Sequence, residues 1–348
     1  MSKKKIYVVG AFGYLTNQLD GQTIKTRNIY QLLQDRFDSS VLYFDTLAVR
    51  KRPFDLFKLL FELIKCNTLI LVPCKGNLTY LFPVAYLLSK IFNYKIVIIC
   101  IGGWQYEYFM GLGKYRPHKL QMNLCRKIRA HLPEMKIVHD ELVEHCSFTN
   151  SEVFPNFRFI QQRPITENTG ALKLVFMARI RKDKGFPQIF KALDILKSNH
   201  MDVTMDFYGQ INPSDKSEFL NLLESHKENT RYCGPLTPSN IIETLREYDV
   251  MLLPTRNYAG EGFPGTILDS FIAGLAVIAT EWKYSHEFIE DGKVGYIIPF
   301  DDCVQPLAEK IAYLNTHRDI LLDFKRNSLN EAKKYDDNAA WEVLSKYL

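Results

Sequence analysis

The stretch that decides the fold reads EGFPGTILDSFIAGLAVIAT, residues 261–280. An apolar run, VMLLPT (250–255), leads towards it, and AVIAT (276–280) closes it. A helix opening near Gly265 therefore stands between two buried strands. At such a helix start the free backbone N–H groups point outward and the dipole favours negative charge. Gly262 and Gly265 let a ligand approach the backbone closely. Glu261 lies just outside the helix, where its carboxylate can accept hydrogen bonds from sugar hydroxyls. Asp269, inside the first turns, can accept from ribose hydroxyls; complementing the helix dipole is the competing role for both carboxylates.

Working outward, strand-like and helix-like runs alternate along the whole chain. IYVVGAF (6–12), SVLYFDTL (40–47), TLILVP (68–73), KIVIICIGG (95–103) and KIVHDEL (136–142) read as strands. TIKTRNIYQLLQDRF (23–37) and FDLFKLLFELIK (54–65) have helical spacing. Residues 78–101 read as a core helix followed by a core strand, because Lys90 and Lys95 interrupt a run that would need about 20 clean apolar residues to span a bilayer. The pattern then restarts. KLVFMARI (173–180), VTMDFYG (203–209), TRYCGPL (230–236) and VGYIIP (294–299) read as strands. Residues 185–199, 217–228 and 239–248, the last with Ser239 as N-cap, read as helices. The tail from 304 is helical, and the polar seam lies at 157–171. Strands alternating with helices imply parallel sheets wrapped by helices. The expected fold is α/β: two tandem doubly wound Rossmann-like domains with a cleft between them.

A length of 348 residues suits two domains. The net charge of +5 conceals a split. Residues 1–165 carry 23 Lys+Arg against 12 Asp+Glu, a net of +11, whereas residues 166–348 carry 21 against 27, a net of −6. Two halves of opposite sign are expected to meet different partners. The seven cysteines form no CxxC pair, which argues against a disulfide framework or a cysteine metal site and fits a reducing cytoplasm. The first residues, MSKKKIYVVGAFG, hold too short an apolar run for a secretory leader and read as a first strand.

A second chemical signal is MARIRKDKGF, 177–186, where a strand ends and a helix begins. Ligands of open α/β sheets bind at the carboxyl ends of strands. Arg179 and Lys184 there suit a pyrophosphate, one as a planar fork and the other as a point charge. Arg181 and Lys182 read as a solvated turn.

Together these blocks resemble the donor half of retaining glycosyltransferases of the GT4 family (glycosyl transferases group 1), which have the two-domain GT-B fold. The family pattern G-R-L-x-x-x-K-G stands here as Ala178-Arg179-Ile180 followed by Lys184-Gly185. The pattern E-G-F-G-x-x-x-x-E-A-x-A-x-G-x-P-V-I stands as Glu261-Gly262-Phe263-Pro264, then Asp269-Ser270, Gly274 and Val277-Ile278. VFPNF (153–157), DFYG (206–209), YCGPL (232–236), YDVMLLPT (248–255) and EFIEDGKVGYIIP (287–299) follow in the family's order. The resemblance covers about 153–345; in the N-terminal half it rests on the opening glycine loop and the strand order.

The resemblance implies an acceptor-binding domain over 1–160, a nucleotide-sugar-binding domain over 171–325, and a C-terminal helix over 326–348 free to pack back toward the first domain. It implies a hexosyltransferase that retains anomeric configuration. Its co-substrate would be a nucleotide-diphosphate sugar, UDP-linked by preference, with no further cofactor and no metal. Arg179 and Lys184 would bind the diphosphate, and with Glu261 they form the expected catalytic set. Glu261 would contact the donor sugar; Phe263, Pro264, Gly265 and Thr266, with Gly262, would line it; Asp269, in place of the usual Glu, would hold the ribose. The loop at 10–22 would cover the phosphates, with Gly21 beside them.

One departure stands out. Many members carry a His just after the strand equivalent to 95–101, and here the run is Cys100-Ile101-Gly102-Gly103-Trp104. In the mechanism proposed for such enzymes the leaving diphosphate takes the acceptor proton, so positioning and positive charge suffice. The missing His supports a second reading, a catalytically silent nucleotide- or sugar-binding partner in a glycosyltransferase complex. A GT-B epimerase or phosphorylase fits less well, because it gives no reason for the basic half. In that half, Arg50, Lys51, Arg52, Lys58 and Lys65 stand among Phe54, Leu56, Phe57, Leu60 and Phe61, and Lys114, Arg116, Lys119, Arg126, Lys127 and Arg129 form a second cluster. Cations beside an amphipathic helix suit an anionic membrane surface and so a lipid-linked or glycan acceptor on the cytoplasmic face; a solvated helix face is the alternative. No nucleic-acid motif appears.

Overall fold

The computed structural model describes residues 5–16, 20–37, 40–160, 164–165, 170–258 and 261–348, the Arg50 side chain excepted. Parts of the 10–22 loop and of the 157–171 seam thus lie outside the described residues. The chain divides into two compact units, one of Met1–Phe159 with Tyr335–Leu348 and one of Ile160–Lys334.

The first unit holds β1 (Ile6–Gly10), α1 (Gly21–Phe37), β2 (Val41–Asp45), α2 (Asp55–Leu63), β3 (Thr68–Val72), α3 (Phe82–Phe92), β4 (Lys95–Ile99), α4 (Gln105–Met110), α5 (Lys119–Cys125), β5 (Ala130–Leu132) and α6 (Lys136–Cys146). Its sheet is parallel, in the order β2-β1-β3-β4-β5. One face packs Ile6, Val8, Ile70, Val72, Val97 and Ile99 against Ile29, Leu32 and Leu33 of α1 and against Ala340 and Leu344 of the C-terminal helix. The intervening strand residues, among them Tyr7, Val9, Leu69 and Leu71, are equally buried. They point to the other face, the one that right-handed crossovers assign to α2 and α3. Strands covered on both faces are continuous apolar runs, which is why they were legible.

The second unit runs β6 (Leu172–Met177), α7 (Phe186–Ser198), β7 (Val203–Tyr208), α8 (Lys216–Ser225), β8 (Thr230–Gly234), α9 (Ile241–Leu245), β9 (Val250–Leu253), α10 (Gly265–Ala273), β10 (Ala276–Thr280), α11 (Ser285–Phe288), β11 (Gly295–Ile298), α12 (Val304–Thr316) and α13 (Arg318–Ala332). The first unit then takes the chain back through α14 (Asp337–Leu344). The second sheet is also parallel, in the order β8-β7-β6-β9-β10-β11. Numbered within the unit this is 3-2-1-4-5-6, the dinucleotide-fold order, with its topological switch between β6 and β9. The sheets bear out the doubly wound α/β expectation and the GT-B class.

Three local expectations need correction. KIVHDEL is not a strand: Lys136–Cys146 is helical, with Val138, Leu142 and Cys146 buried at four-residue spacing. The neighbouring strand is instead the three-residue Ala130–Leu132, too short to signal itself. Ser239 is not an N-cap. Helix α9 starts at Ile241 behind Asn240, and the Ser239 hydroxyl donates to the Asn240 Oδ1 at 3.1 Å. Finally, α3 is a core helix on one side only. Tyr80, Val84, Leu87 and Ile91, spaced along one helical face, are exposed.

Candidate active site

The switch between β6 and β9 places two loops side by side. The loop after β6 carries Arg179 to Gly185, and the loop after β9 carries Pro254 to Pro264. They are stitched by the Asp183 carbonyl, which accepts from the Arg256 N–H at 2.8 Å and faces the Thr255 hydroxyl at 3.2 Å. Gly185 explains itself here. Its φ is +89°, and a Cβ added to it would lie 1.9 Å from the Pro254 carbonyl oxygen. Only glycine allows the two loops to approach this closely. The glycine of the Lys-Gly pair is thus a contact between loops, not a ligand group.

Glu261 is the centre of the arrangement. It is buried, and its Oε1 forms an ion pair with the Lys184 ammonium. The Thr255 hydroxyl donates to the same oxygen at 3.1 Å. Thr255 is held in turn by the Thr280 hydroxyl, at the end of β10, which donates to its carbonyl at 2.7 Å. The two charges expected to serve different parts of a ligand therefore hold one another. Lys184 keeps a quarter of its side chain in solvent, whereas Glu261 keeps 9%. Arg179 is exposed, with no side-chain hydrogen bond or ion pair among the described residues. Arg181 and Lys182 are committed elsewhere, to Asp183 and Glu218 respectively. The hydrogen bonds from Arg181 hold the Asp183 carboxyl below its ordinary range.

Helix α10 begins without a side-chain cap: Pro264 occupies the N-cap position in an extended conformation. Thr266, in the first turn, donates its hydroxyl to the Met177 carbonyl at 2.9 Å, tying the helix start to the end of β6. The Phe263 ring stacks on Phe288 of α11, centroids 4.0 Å apart, and fixes the loop ahead of it. Gly262, Pro264, Gly265 and Thr266 are half-buried, and Asp269 is buried one turn on. The structure thus brings Arg179, Lys184, Glu261 to Thr266 and Asp269 to one end of one sheet. An uncapped helix start near cations has the chemistry of an anion site, and a buried carboxylate has that of a hydroxyl acceptor. Gly21 lies in the other unit, at the start of α1, with open space around its Cα. Thr255 and Thr280, which orient Glu261, were not picked out from the sequence; a polar residue closing an apolar strand was the available signal.

In the first unit the turn after β4 carries no His, but it is strongly held. The Gly102 N–H donates to Glu134 Oε2 at 2.7 Å, and Glu134 Oε1 stands 3.5 Å from the fully buried Lys25 ammonium. Lys25 also donates to the Phe154 carbonyl at 3.0 Å. Burial lowers the Lys25 pKa, and Glu134 opposes that shift. Among the described residues there is no cluster of His, Cys, Asp and Glu able to hold a metal ion, and no helix long and apolar enough to cross a membrane.

Residues 157–334 match the family model for glycosyl transferases group 1. A Campylobacter jejuni protein, N,N'-diacetylbacillosaminyl-diphospho-undecaprenol alpha-1,3-N-acetylgalactosaminyltransferase, is 28% identical over 166 residues, 47% of this chain and 41% of its own length. The phosphatidyl-myo-inositol mannosyltransferase of Mycolicibacterium smegmatis is 24% identical over 162 residues, 47% of this chain and 39% of its own length. The matches thus span well under two thirds of these relatives. Among solved structures, Anabaena Alr3699/HepE in complex with UDP superposes with a TM-score of 0.74 at 13% identity, covering 98% of both chains. A glycosyltransferase from Rickettsia africae gives 0.73 at 17% identity, covering 100% of this chain and 98% of its own. At such identities the superpositions speak for the fold. The family match covers half of the chain, and the chain belongs to the glycosyl transferases group 1 family.

Proposed function

From that membership we propose that the protein moves a hexose from a UDP-linked sugar to a membrane-borne or polysaccharide-precursor acceptor, with retention of anomeric configuration and without a metal. The observation that carries the reading is the convergence of Arg179, Lys184 and Glu261 on the uncapped start of α10. The diphosphate draws Lys184 away from Glu261 and engages Arg179 and the N–H groups of the first turn of α10. Glu261, freed of its counter-ion but still held by Thr255, accepts hydroxyls of the donor sugar, and Asp269 accepts from the ribose. As the glycosidic bond breaks, negative charge grows on the leaving phosphate. The two cations stabilise it there, the role a metal fills in other transferases. The leaving oxygen takes the acceptor's proton, so no His is needed at Gly102. UDP is favoured because the Anabaena protein of the same fold is described with UDP bound.

The acceptor reading rests on the first unit. Phe54, Phe57, Phe61 and Ile64 form an exposed stripe along α2 and its flanks, with Phe54 81% and Phe57 72% exposed. The bare face of α3 lies on the same side of the sheet by the crossover argument. Lys51, Arg52, Lys58, Lys65 and Lys90 border the two stripes. An apolar helix face rimmed by cations suits an anionic bilayer surface, where each cation adds about 1 kcal/mol. The Campylobacter and Mycolicibacterium relatives bear names that specify lipid-borne acceptors.

Incubating the protein with a panel of UDP-hexoses, alone and with alkyl glycosides, tests the proposal. The expected result is turnover of one UDP-hexose, unchanged by EDTA, giving a product with the donor's anomeric configuration by proton NMR. Turnover that EDTA abolishes, or inversion, contradicts it, and UDP binding without any turnover favours a silent partner.

A further inference from the structure

The first unit contains a second concavity that the donor chemistry does not use. It has a volume of about 570 Å³ and wraps the outer edge of the sheet, where β2 has no neighbouring strand. That volume is ordinary for a small-molecule site. One wall is aromatic. Tyr43 of β2 is packed edge-on by Tyr14 and Tyr30, with centroids 5.5 and 5.2 Å away, and Phe12 backs it at 4.8 Å. The Arg27 guanidinium covers one face of Tyr14. The rings are therefore fixed, yet Tyr14 and Tyr43 each leave 45% of their surface in solvent.

The opposite wall is the polar stripe of α2 and its approach: Arg52, Asp55, Lys58 and Glu62. None of these four side chains makes a hydrogen bond or ion pair among the described residues. Between the walls Tyr7, 2% exposed, lines the pocket, and its hydroxyl has no hydrogen-bond partner among the described residues.

We propose that this pocket binds a saccharide, and that it holds a non-reacting part of a glycan acceptor. A sugar ring presents an apolar C–H face and a rim of hydroxyls. Rigid half-exposed tyrosines match the first at little entropic cost, and unpaired carboxylates, cations and the Tyr7 hydroxyl match the second. The pocket is lined by two cations, Arg52 and Lys58, and three carboxylates, Asp45, Asp55 and Glu62, so it selects a neutral polyol over a phosphate. Helix α2 gives its polar stripe to the pocket and its phenylalanine stripe to the face assigned above to the membrane, which places the saccharide beside that surface. The saccharide site rests on the glycan-acceptor reading.

Saturation-transfer NMR on the full chain tests it, with methyl α-glucoside, N-acetylglucosamine and maltose as probes and UDP binding measured alongside. At least one probe is expected to show saturation of its ring protons in the wild type. Tyr43→Ala weakens that binding about threefold to tenfold, Glu62→Gln weakens it as well, and Tyr43→Phe keeps it; UDP affinity is the same in all. Absence of transfer to any probe while UDP still binds overturns the saccharide site and leaves the donor site standing. A signal that survives Tyr43→Ala but disappears in Glu261→Gln belongs to the donor site and also overturns it.

Discussion

The ion pair between Lys184 and Glu261 allows stability and ligand binding to be separated by one double-mutant cycle. Replacing Lys184 by Met leaves the Glu261 carboxylate buried with the Thr255 hydroxyl as its remaining hydrogen-bond donor among the described residues. Stranding one partner of a fully buried pair costs roughly 3–5 kcal/mol. Lys184 keeps a quarter of its side chain in solvent, so screening brings the expected cost to about 2 kcal/mol. For a unit of this size that is about 4–8 °C in the melting temperature of the second unit. Glu261→Gln alone keeps an acceptor for both donors and costs about 1 kcal/mol. In Lys184→Met/Glu261→Gln no charge is stranded, and most of the lost stability returns, a coupling of about 1–3 kcal/mol. UDP binding follows a different rule: each variant lacking Lys184 loses a charge-assisted hydrogen bond of about 1.5–3 kcal/mol, roughly 10- to 100-fold in affinity. Scanning calorimetry gives the first quantity and titration with UDP the second. The reasoning is refuted if Lys184→Met melts like the wild type, or if UDP affinity returns together with stability in the double variant.

Other outcomes follow from single features of the structure. Gly185→Ala drives a methyl into the Pro254 carbonyl from a left-handed backbone; the strain alone costs about 1–3 kcal/mol, and calorimetry should show a lower melting point together with lost UDP binding. His131 is fully buried, and burial lowers its pKa to about 3. Its folded value lies below the unfolded one near 6.5, so between those values the unfolded chain binds the extra proton. Its contribution is complete above about pH 6.5 and falls by up to about 1.4 kcal/mol per pH unit below it; urea titrations from pH 7.5 to 5 should show that slope, and His131→Gln should flatten it. Reversing Lys51, Arg52, Lys58 and Lys65 to Glu should abolish flotation with anionic liposomes at low salt while UDP binding is unchanged. Wild-type protein that fails to float at low salt would remove the membrane reading.

Much of the fold was legible because most of the strands, β1, β3, β4, β9 and β10 above all, are apolar runs bounded by turn residues. What was not legible depended on neighbours. The pair Ile137-Val138 looks like a strand until the four-residue spacing to Leu142 and Cys146 is given weight. The face of Tyr80, Val84, Leu87 and Ile91 is as apolar as the buried side of α3, and what tells them apart is that no element among the described residues covers it. At the candidate site, Arg179, Lys184 and Glu261 could be chosen from chemistry and spacing. Their mutual geometry could not, because it arises from the sheet order that sets β6 beside β9. Thr255, Thr280 and the crowding at Gly185 share that origin. The tyrosine pocket was invisible for a similar reason: Tyr7, Tyr14, Tyr43 and Glu62 meet only once β2 is the sheet edge.

The most direct measurement is the melting temperature of the wild type and of Lys184→Ala with UDP, GDP, ADP and TDP. A nucleotide at 100 times its dissociation constant stabilises the folded state by about 2.7 kcal/mol. The expected result is a shift with UDP that exceeds those with the other three and that falls to about 0.4–1.4 kcal/mol in Lys184→Ala at the same concentration. No shift with any nucleotide, or a UDP shift undiminished without Lys184, contradicts it.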